Sequence, residues 1–375
     1  MQLDRRQTLA AALAAALPLP AWSAPMTDAP TYAALALQLA ARSVERAPDR
    51  AAARAQMIAM IGEVAGKLRG AKIFIEQYGG SPLRLAVLPE YLFTSYPGPI
   101  SIPAFAELAA IAPDGPEYDA LGRVASDLKL FLAGNAYETD RNFPNLYFQT
   151  SFVVAPSGDV VLRYRRLNSM FAPTPHDVWS KYLDIYGIDG VFPVARTEIG
   201  NLAAVASEEI LYPEIARAHA LRGAELLVHS SSEIGSPMST HKAIARRARA
   251  FENLAYVVSA NTAGIEGTSL PLASADGNSA VIDWKGAVLA ESNAGETFTA
   301  FADIDLAALR RARRKPGMTN YLARQRTELF AEAYKTVVQP ADSLIREGVV
   351  TTPDRDHFRQ VQEDVIERLA KDGLI

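Results

Sequence analysis

Short apolar runs alternate with longer segments of helical periodicity along most of this chain. Runs such as Leu83 to Leu88 and Leu202 to Ala206 contain at most one polar residue, which indicates strands buried on both faces. Two hairpin signals, Pro156-Ser157-Gly158-Asp159 and Trp284-Lys285-Gly286, each join a pair of strand-like runs. Strands, helices and hairpins in this order predict a mixed sheet system with helices outside it.

The same pattern predicts the individual elements. Strands are expected at 32–40, 83–88, 130–137, 152–155, 160–164, 202–206, 225–229, 256–260, 279–283 and 287–290. Helices are expected at 49–68 (stopped by Gly70), 118–128, 213–222, 240–254 and 303–314, and a last helix is expected to begin at Thr352-Pro353. Its apolar stripe is predicted to pack on this chain or on a partner subunit and comprises Phe358, Val361, Val365, Ile366 and Leu369.

The N-terminus has the pattern of an export signal. Arg5-Arg6 precedes an apolar run at 9–19, and small residues follow at 21–25. A twin arginine before such a run resembles a Tat signal, so we expect cleavage after Ser23 and a periplasmic protein. An uncleaved N-terminal anchor is the alternative. We predict a signal at 1–23, one domain at 31–334 and a tail with a terminal helix at 335–375, with no stable membrane span.

Composition excludes several kinds of chemistry. The chain has no cysteine, which removes disulfides, thiolate-bound metal and a cysteine nucleophile. Its five histidines show no metal-ligand spacing, so we expect no metal and no cofactor. The formal net charge of −4 provides no basic field for nucleic acid.

Four segments carry polar residues at predicted strand or helix ends. They are Leu88-Pro89-Glu90, Tyr164-Arg165-Arg166-Leu167, Val205-Ala206-Ser207-Glu208-Glu209 and Arg247-Ala248-Arg249-Ala250-Phe251-Glu252-Asn253. In this order they resemble the motifs of the nitrilase superfamily, the carbon–nitrogen hydrolases. The resemblance implies an α/β fold, the four-layer α-β-β-α sandwich. It also implies a homodimer or larger homo-oligomer, with the C-terminal tail draped over a neighbour.

The resemblance assigns catalytic positions to Glu90, Arg166 and Ser207. In that family a glutamate is the base, a lysine and a backbone N–H hold the oxyanion, and a cysteine attacks. Arg166 keeps the positive charge of the lysine. Ser207 is a more severe change, because a hydroxyl is far less acidic than a thiol, whose pKa is ~8.5. Glu90 is too weak a base for it, so we expect no hydrolysis of simple nitriles or primary amides.

Further residues are candidates for contact with a ligand, namely Tyr96, Asp177, Glu208 and Ser231. In His176-Asp177 the histidine is a possible base and the aspartate a possible substitute for a second family glutamate; we favour a loop with a helix cap at Asp177. His229 either lines the pocket or is a core histidine, and we favour the core. Glu209 is expected to brace the turn at Ser207.

Two function hypotheses follow. In the one that we favour, the protein is an exported, non-catalytic descendant with a degenerate site, which binds a small amide, nitrile or carboxylic acid or serves assembly. In the other it is a serine-dependent hydrolase or acyltransferase that acts on an activated amide or ester through Ser207, Glu90 and Arg166. A base within reach of the Ser207 hydroxyl would favour the second.

Overall fold

Two large β-sheets form the centre of the molecule. The computed structural model describes residues 31–233, 240–272 and 277–375, so the predicted signal at 1–23 lies outside it. Within these residues one sheet has six strands, in the spatial order β14 (Phe301–Ile304), β1 (Tyr32–Ala36), β3 (Leu83–Val87), β4 (Phe131–Thr139), β5 (Tyr147–Val154) and β6 (Val160–Arg165). The second has the order β13 (Val288–Glu291), β12 (Ala280–Ile282), β10 (Tyr256–Asn261), β9 (Leu226–Ser231), β8 (Gly200–Ala206) and β7 (Ala195–Thr197).

The two sheets face each other, and helices cover their outer faces. Along β1, Ala33 and Leu35 lie in the core beneath the helices, whereas Ala34 and Ala36 lie in the core shared with the second sheet. This alternation follows from the two-residue period of a strand. The helices over the first sheet are α1 (Arg50–Tyr78), α2 (Ile102–Ala109) and α3 (Pro116–Leu128); those over the second are α5 (Pro213–Leu221), α6 (His241–Asn253) and α7 (Leu306–Arg314). The predicted α-β-β-α sandwich is confirmed.

Several predicted boundaries are wrong. Helix α1 does not stop at Gly70 but continues to Tyr78, because Ala71 and Ile75 extend its buried face. Burial of that face outweighs the cost of about 1 kcal/mol for an internal glycine. The helix predicted from Asp303 begins at Leu306, since 301–304 form the edge strand β14.

The C-terminal segment packs on its own chain. It contains α8 (Glu328–Ala331), the ribbon of β15 (Ile345–Arg346) and β16 (Val349–Val350), and α9 (Asp356–Lys371), which begins later than predicted. The ribbon is fixed to the chain just before α4 (Trp179–Val191): Leu344 N–H donates to the Asp177 carbonyl at 2.9 Å. Phe358 of α9 is buried in the core under the first sheet. Phe358 of the predicted stripe therefore packs on this chain, and draping of the tail over a neighbour stays a prediction.

No helix within the described ranges is both long and apolar enough to cross a bilayer.

The two remaining strands, β2 (Ala40–Arg42) and β11 (Gly264–Glu266), pair in parallel beside the sandwich.

Candidate active site

The two sheets present their strand ends at a common edge. Strands β8 and β9 are parallel neighbours, so both end at this edge. Ser230 Oγ at the end of β9 donates to the Leu88 carbonyl just beyond β3 at 2.7 Å, and Glu90 N–H donates to the Ser231 carbonyl at 3.3 Å. Residues that follow β3 and β8 are thereby brought to one place, as in other sheets whose carboxyl ends carry a site.

Ser207 occupies a sharp turn directly after β8. Its φ is +48°, in the left-handed region that a non-glycine residue adopts at a cost of about 1–2 kcal/mol. Glu209 holds the turn, because its carboxylate accepts from Ala206 N–H at 3.2 Å, Leu167 N–H at 2.6 Å and the Tyr164 hydroxyl at 2.8 Å. Burial raises the pKa of Glu209 to about 7. Glu209 therefore has the bracing position that we expected.

Lys242 lies against the Ser207 hydroxyl. Its Nζ is 3.1 Å from Ser207 Oγ, 3.3 Å from Ser231 Oγ and 3.2 Å from the Ser232 carbonyl. Thr240 caps the helix that carries it, since its hydroxyl accepts from Ala243 N–H at 3.1 Å. Burial lowers the pKa of the Lys242 ammonium, and the carboxylate of Glu90 acts in the opposite direction. A lysine with a lowered pKa beside a serine hydroxyl is equipped to act as a general base.

A buried histidine supports the backbone of Ser207. His229 Nε2 is 2.8 Å from the Ser207 carbonyl, and its Nδ1 is 2.8 Å from Ser259 Oγ. Burial lowers the pKa of His229 to about 3, so the ring is neutral. A carbonyl only accepts, so Nε2 carries the proton and Nδ1 accepts from Ser259. Arg246 Nη1 donates to that serine at 3.2 Å and completes the chain of hydrogen bonds.

Glu90 and Arg166 form a closed ionic group on the other side of the site. Arg166 Nη1 lies 3.3 Å from Glu90 Oε1 and donates to Gln149 Oε1 at 2.6 Å, while its Nη2 pairs with Glu208. Gln149 Nε2 donates to Glu90 at 2.6 Å. Burial opposes the charge of Arg166, but the surrounding carboxylates outweigh it and raise its pKa. Within the described residues no hydrogen bond joins Glu90 to Ser207.

The structure brings two of the four candidate ligand-binding residues to this place. Ser231 contacts Lys242, and Glu208 contacts Arg166 with about a third of its side chain exposed (34%). The three residues at the family's catalytic positions also meet here, although Glu90 contacts Arg166 and not Ser207.

The other two candidates make structural contacts. Asp177 accepts from Thr174 N–H at 2.9 Å, from the Thr174 hydroxyl at 2.7 Å and from Ser343 Oγ at 2.7 Å. These bonds make it a helix cap that also anchors the C-terminal segment. Tyr96 is half-buried, and its ring lies 6.3 Å from that of Tyr91.

The sequence reasoning missed Lys242 and considered His176 as a base instead. His176 packs near Trp179, with ring centroids 6.0 Å apart, and among the described residues it has no hydrogen bond to Ser207. A signal for Lys242 was present. It stands in the first turn of a predicted helix, where the helix dipole disfavours a cation. The cost of about 0.3–1 kcal/mol is a weak signal that the lysine has another role there.

Acidic and histidine side chains do not gather into a possible metal site anywhere in the described part of the chain.

Comparison with known proteins points to one family. The carbon-nitrogen hydrolase family model matches residues 36–314, well over half of the chain. A probable nitrilase of Schizosaccharomyces pombe is 27% identical over 43% of this chain, and the match spans 56% of that protein. An omega-amidase of Bos taurus is 26% identical over 62% of this chain and 80% of its own length. A carbon-nitrogen hydrolase from Helicobacter pylori G27 shares the fold, with a TM-score of 0.59 at 21% identity, over 82% of this chain and 99% of that one. Together with the two packed sheets and the site at their common edge, these matches show that the chain belongs to the carbon–nitrogen hydrolase family.

Proposed function

We propose that this protein is a serine-dependent hydrolase of esters and activated amides, in which Ser207 is the nucleophile and Lys242 its base. The observation that carries the proposal is the 3.1 Å contact between Lys242 Nζ and Ser207 Oγ. The hypothesis of a degenerate site rested on the change of two reactive groups together, the cysteine to Ser207 and the lysine to Arg166, and on Glu90 being too weak a base for a hydroxyl. A lysine with a lowered pKa supplies a stronger base.

The proposed reaction proceeds through an acyl-enzyme. Neutral Lys242 takes the proton of the Ser207 hydroxyl as its oxygen bonds to the carbonyl carbon. The Lys242 ammonium then gives that proton to the departing alcohol or amine while the carbon–heteroatom bond breaks. Lys242 then takes a proton from a water molecule as that water attacks the acyl carbon. The Lys242 ammonium returns the proton to Ser207 Oγ as the bond between carbon and Oγ breaks and the acid leaves. Arg166 and the backbone N–H of Glu208 are the candidate donors to the oxyanion.

In this scheme Glu90 has a different role from that implied by the family resemblance. Its carboxylate neutralises Arg166 and accepts a hydrogen bond from Gln149, and in the described part of the chain it has no hydrogen bond to Ser207. It still influences Lys242 through space, since its charge opposes the lowering of the lysine's pKa. We assign Glu90 to charge balance and not to proton transfer.

Two observations favour the non-catalytic alternative. Arg166 already pairs with two carboxylates, Glu90 and Glu208, which leaves less of its charge for an oxyanion. Ser207 is also only 5% exposed. In this second candidate function the cleft binds a small amide, nitrile or acid without turnover.

Labelling with a fluorophosphonate separates the two. Ser207 Oγ would displace fluoride from phosphorus, and mass spectrometry of the digested protein locates the adduct. We expect an adduct on Ser207 in the natural protein, none in Ser207→Ala, and much slower labelling in Lys242→Met. Failure to label Ser207, together with no turnover of activated esters, would favour the binding scaffold.

We also propose export to the periplasm with removal of residues up to Ser23, and assembly into a dimer or larger homo-oligomer. The first is supported by Arg5-Arg6 ahead of the apolar run. The second is supported by exposed apolar side chains on and beside the helices over the second sheet, such as Leu221 at 50% and Ile244 at 60%. N-terminal sequencing from the native host and light scattering test them; an intact Met1 or a monomer at micromolar concentration would refute the respective proposal.

A further inference from the structure

A cavity of about 560 Å³ lies beside the candidate active site. It begins at Leu167 and Glu208, next to the partners of Arg166, and extends towards the first turn of α4. The volume falls within the range of pockets that bind small molecules. Glu208 is common to the cavity and to the ionic group around Arg166, and it directly follows Ser207 in the chain, so a ligand in the cavity lies beside that ionic group.

The C-terminal segment forms the far wall of this cavity. Gln339, Phe358 and Gln362 line it, and all three lie beyond the residues that match the family model. The wall is anchored, because Phe358 is buried in the core and Ser343 is bonded to Asp177. This cavity is therefore shaped by a part of the chain that lies outside the matched family domain.

The charged groups of the lining are of one sign. Glu208 and Asp177 contribute carboxylates, and among the described residues no lysine or arginine lines the cavity. His176 is the remaining titratable side chain apart from Tyr212. Glu208 is paired with Arg166, and the Asp177 oxygens accept from Thr174 and Ser343. Among the described residues the lining therefore offers no free cation to an anionic ligand.

Aromatic rings in the lining also favour a cationic ligand. Trp179, Phe192 and Tyr212 line the cavity together with Phe358. The faces of such rings carry negative charge and attract cations within about 6 Å by roughly 0.5–1 kcal/mol at exposed sites. These rings and the partly exposed carboxylate of Glu208 together form an environment that suits an organic ammonium group.

We propose that this cavity binds a cationic part of the substrate, so that the tail selects ammonium-bearing esters or amides over anionic ones. The inference rests on the proposed function for its catalytic meaning, because it names the substrate class of that same site. The binding preference itself does not require turnover. It is therefore tested on a protein that cannot react.

Calorimetric titration of the full-length Ser207→Ala protein measures the preference. The probes are para-(aminomethyl)benzamide, para-methylbenzamide and para-carboxybenzamide, which are cationic, neutral and anionic at neutral pH. We expect the cation to bind roughly three- to tenfold more tightly than the neutral amide, and the anion most weakly. A parallel titration of the natural protein covers the case in which Ser207→Ala fails to fold.

A pair of variants on α9 links the preference to the cavity. Gln362 is exposed and lines the cavity, whereas the side chain of Gln360 bonds to Asp364 outside it. Gln362→Lys should abolish the preference for the cation. Gln360→Lys adds the same charge two residues away, about 200° around the helix, and should leave it unchanged.

The outcomes separate the two proposals. Absence of binding of the cation, equal binding of the three probes, or a preference that survives in Gln362→Lys overturns the inference. If the preference follows Gln362 but the natural protein neither labels nor hydrolyses esters, the inference stands and the proposed function fails. If Ser207-dependent hydrolysis occurs without any charge preference, the proposed function stands and the inference fails.

Discussion

The two sides of the site differ in how their polar groups are used. On the side of the first sheet, Glu90 and Arg166 are bonded to each other and to Gln149, so their charges are balanced. On the side of the second sheet, Ser207 faces Lys242, whose pKa is lowered by burial. Glu90 and Arg166 form an ion pair, whereas a proton can move between Ser207 and Lys242. The difference teaches that a residue at a family's catalytic position need not keep its task when the nucleophile changes.

The largest effect is expected when the nucleophile of the second pair, Ser207, is removed. Ser207→Ala should reduce kcat/KM for an activated ester by about 10⁴-fold or more, as expected when the attacking group of a catalytic unit is removed. Steady-state kinetics measures it. Ser232→Ala is the matched control, since that residue meets Lys242 through its backbone carbonyl and not its hydroxyl. Equal activity of Ser207→Ala and the natural protein would exclude Ser207 as nucleophile.

Removal of the base should have the next largest effect. Lys242→Met should lower kcat/KM by about 10²–10⁴-fold, the usual contribution of general-base catalysis. Lys242→Arg should not rescue it, because a guanidinium does not deprotonate in proteins. The control is the exposed lysine variant Lys335→Met.

The pH dependence of kcat/KM tests the pair of Ser207 and Lys242 by its direction. A base must be neutral to act, so kcat/KM should rise with pH and level off above the pKa of Lys242. Burial lowers that pKa, which places the rising limb below that of an ordinary lysine. A profile that is flat, or that falls as pH rises from neutral, would contradict Lys242 as the base.

Glu90→Gln tests the ion pair on the side of the first sheet. If Glu90 balances charge, its loss should cost only about tenfold in kcat/KM, at the level of a hydrogen-bonded charge pair and less than Lys242→Met. Because the Glu90 charge raises the pKa of Lys242, its removal should also move the rising limb to lower pH. A loss as large as that of Lys242→Met, with no shift of the limb in the residual activity, would return the role of base to Glu90.

The smallest effect concerns stability around the second pair. His229 has a pKa of about 3 when folded and an ordinary value near 6.5 when unfolded. The unfolded chain therefore takes up the proton first, so stability is lost as pH falls below 6.5. Between pH 7 and pH 5 this one residue should remove about 2 kcal/mol. In His229→Gln that part of the pH dependence should disappear from urea unfolding curves, whereas the exposed His241→Gln should keep it.

Local pattern was sufficient to predict the order of the main elements and a mixed sheet system with helices outside it, whereas the four-layer sandwich was implied by the family resemblance. Strand interiors and the hairpin over 156–159 were predicted because period and turn chemistry are local. Boundaries failed where tertiary burial decided them, as at Gly70, where the packed face of α1 continues past the glycine. The turn at Ser207 was found because its motif is contiguous in sequence.

The partners of that turn were harder to find. Lys242 and His229 reach Ser207 from elements 35 and 22 residues further along the chain, and sequence states neither the distance nor the direction of a side chain. The contact of the tail with Asp177 was not predicted for the same reason, since it depends on packing that no local periodicity encodes.

The anchoring of the tail also orders the assembly of the site in time. Asp177 and Ser343 are separated by 166 residues, whereas the serine and lysine of the site are only 35 apart. Closing a longer loop costs more chain entropy and is slower, so the distant contact forms late. We therefore expect the reacting groups to come together before the cavity beside them has its wall. A folding intermediate trapped at that stage would attack a small activated ester and yet be indifferent to the charge that the ester carries.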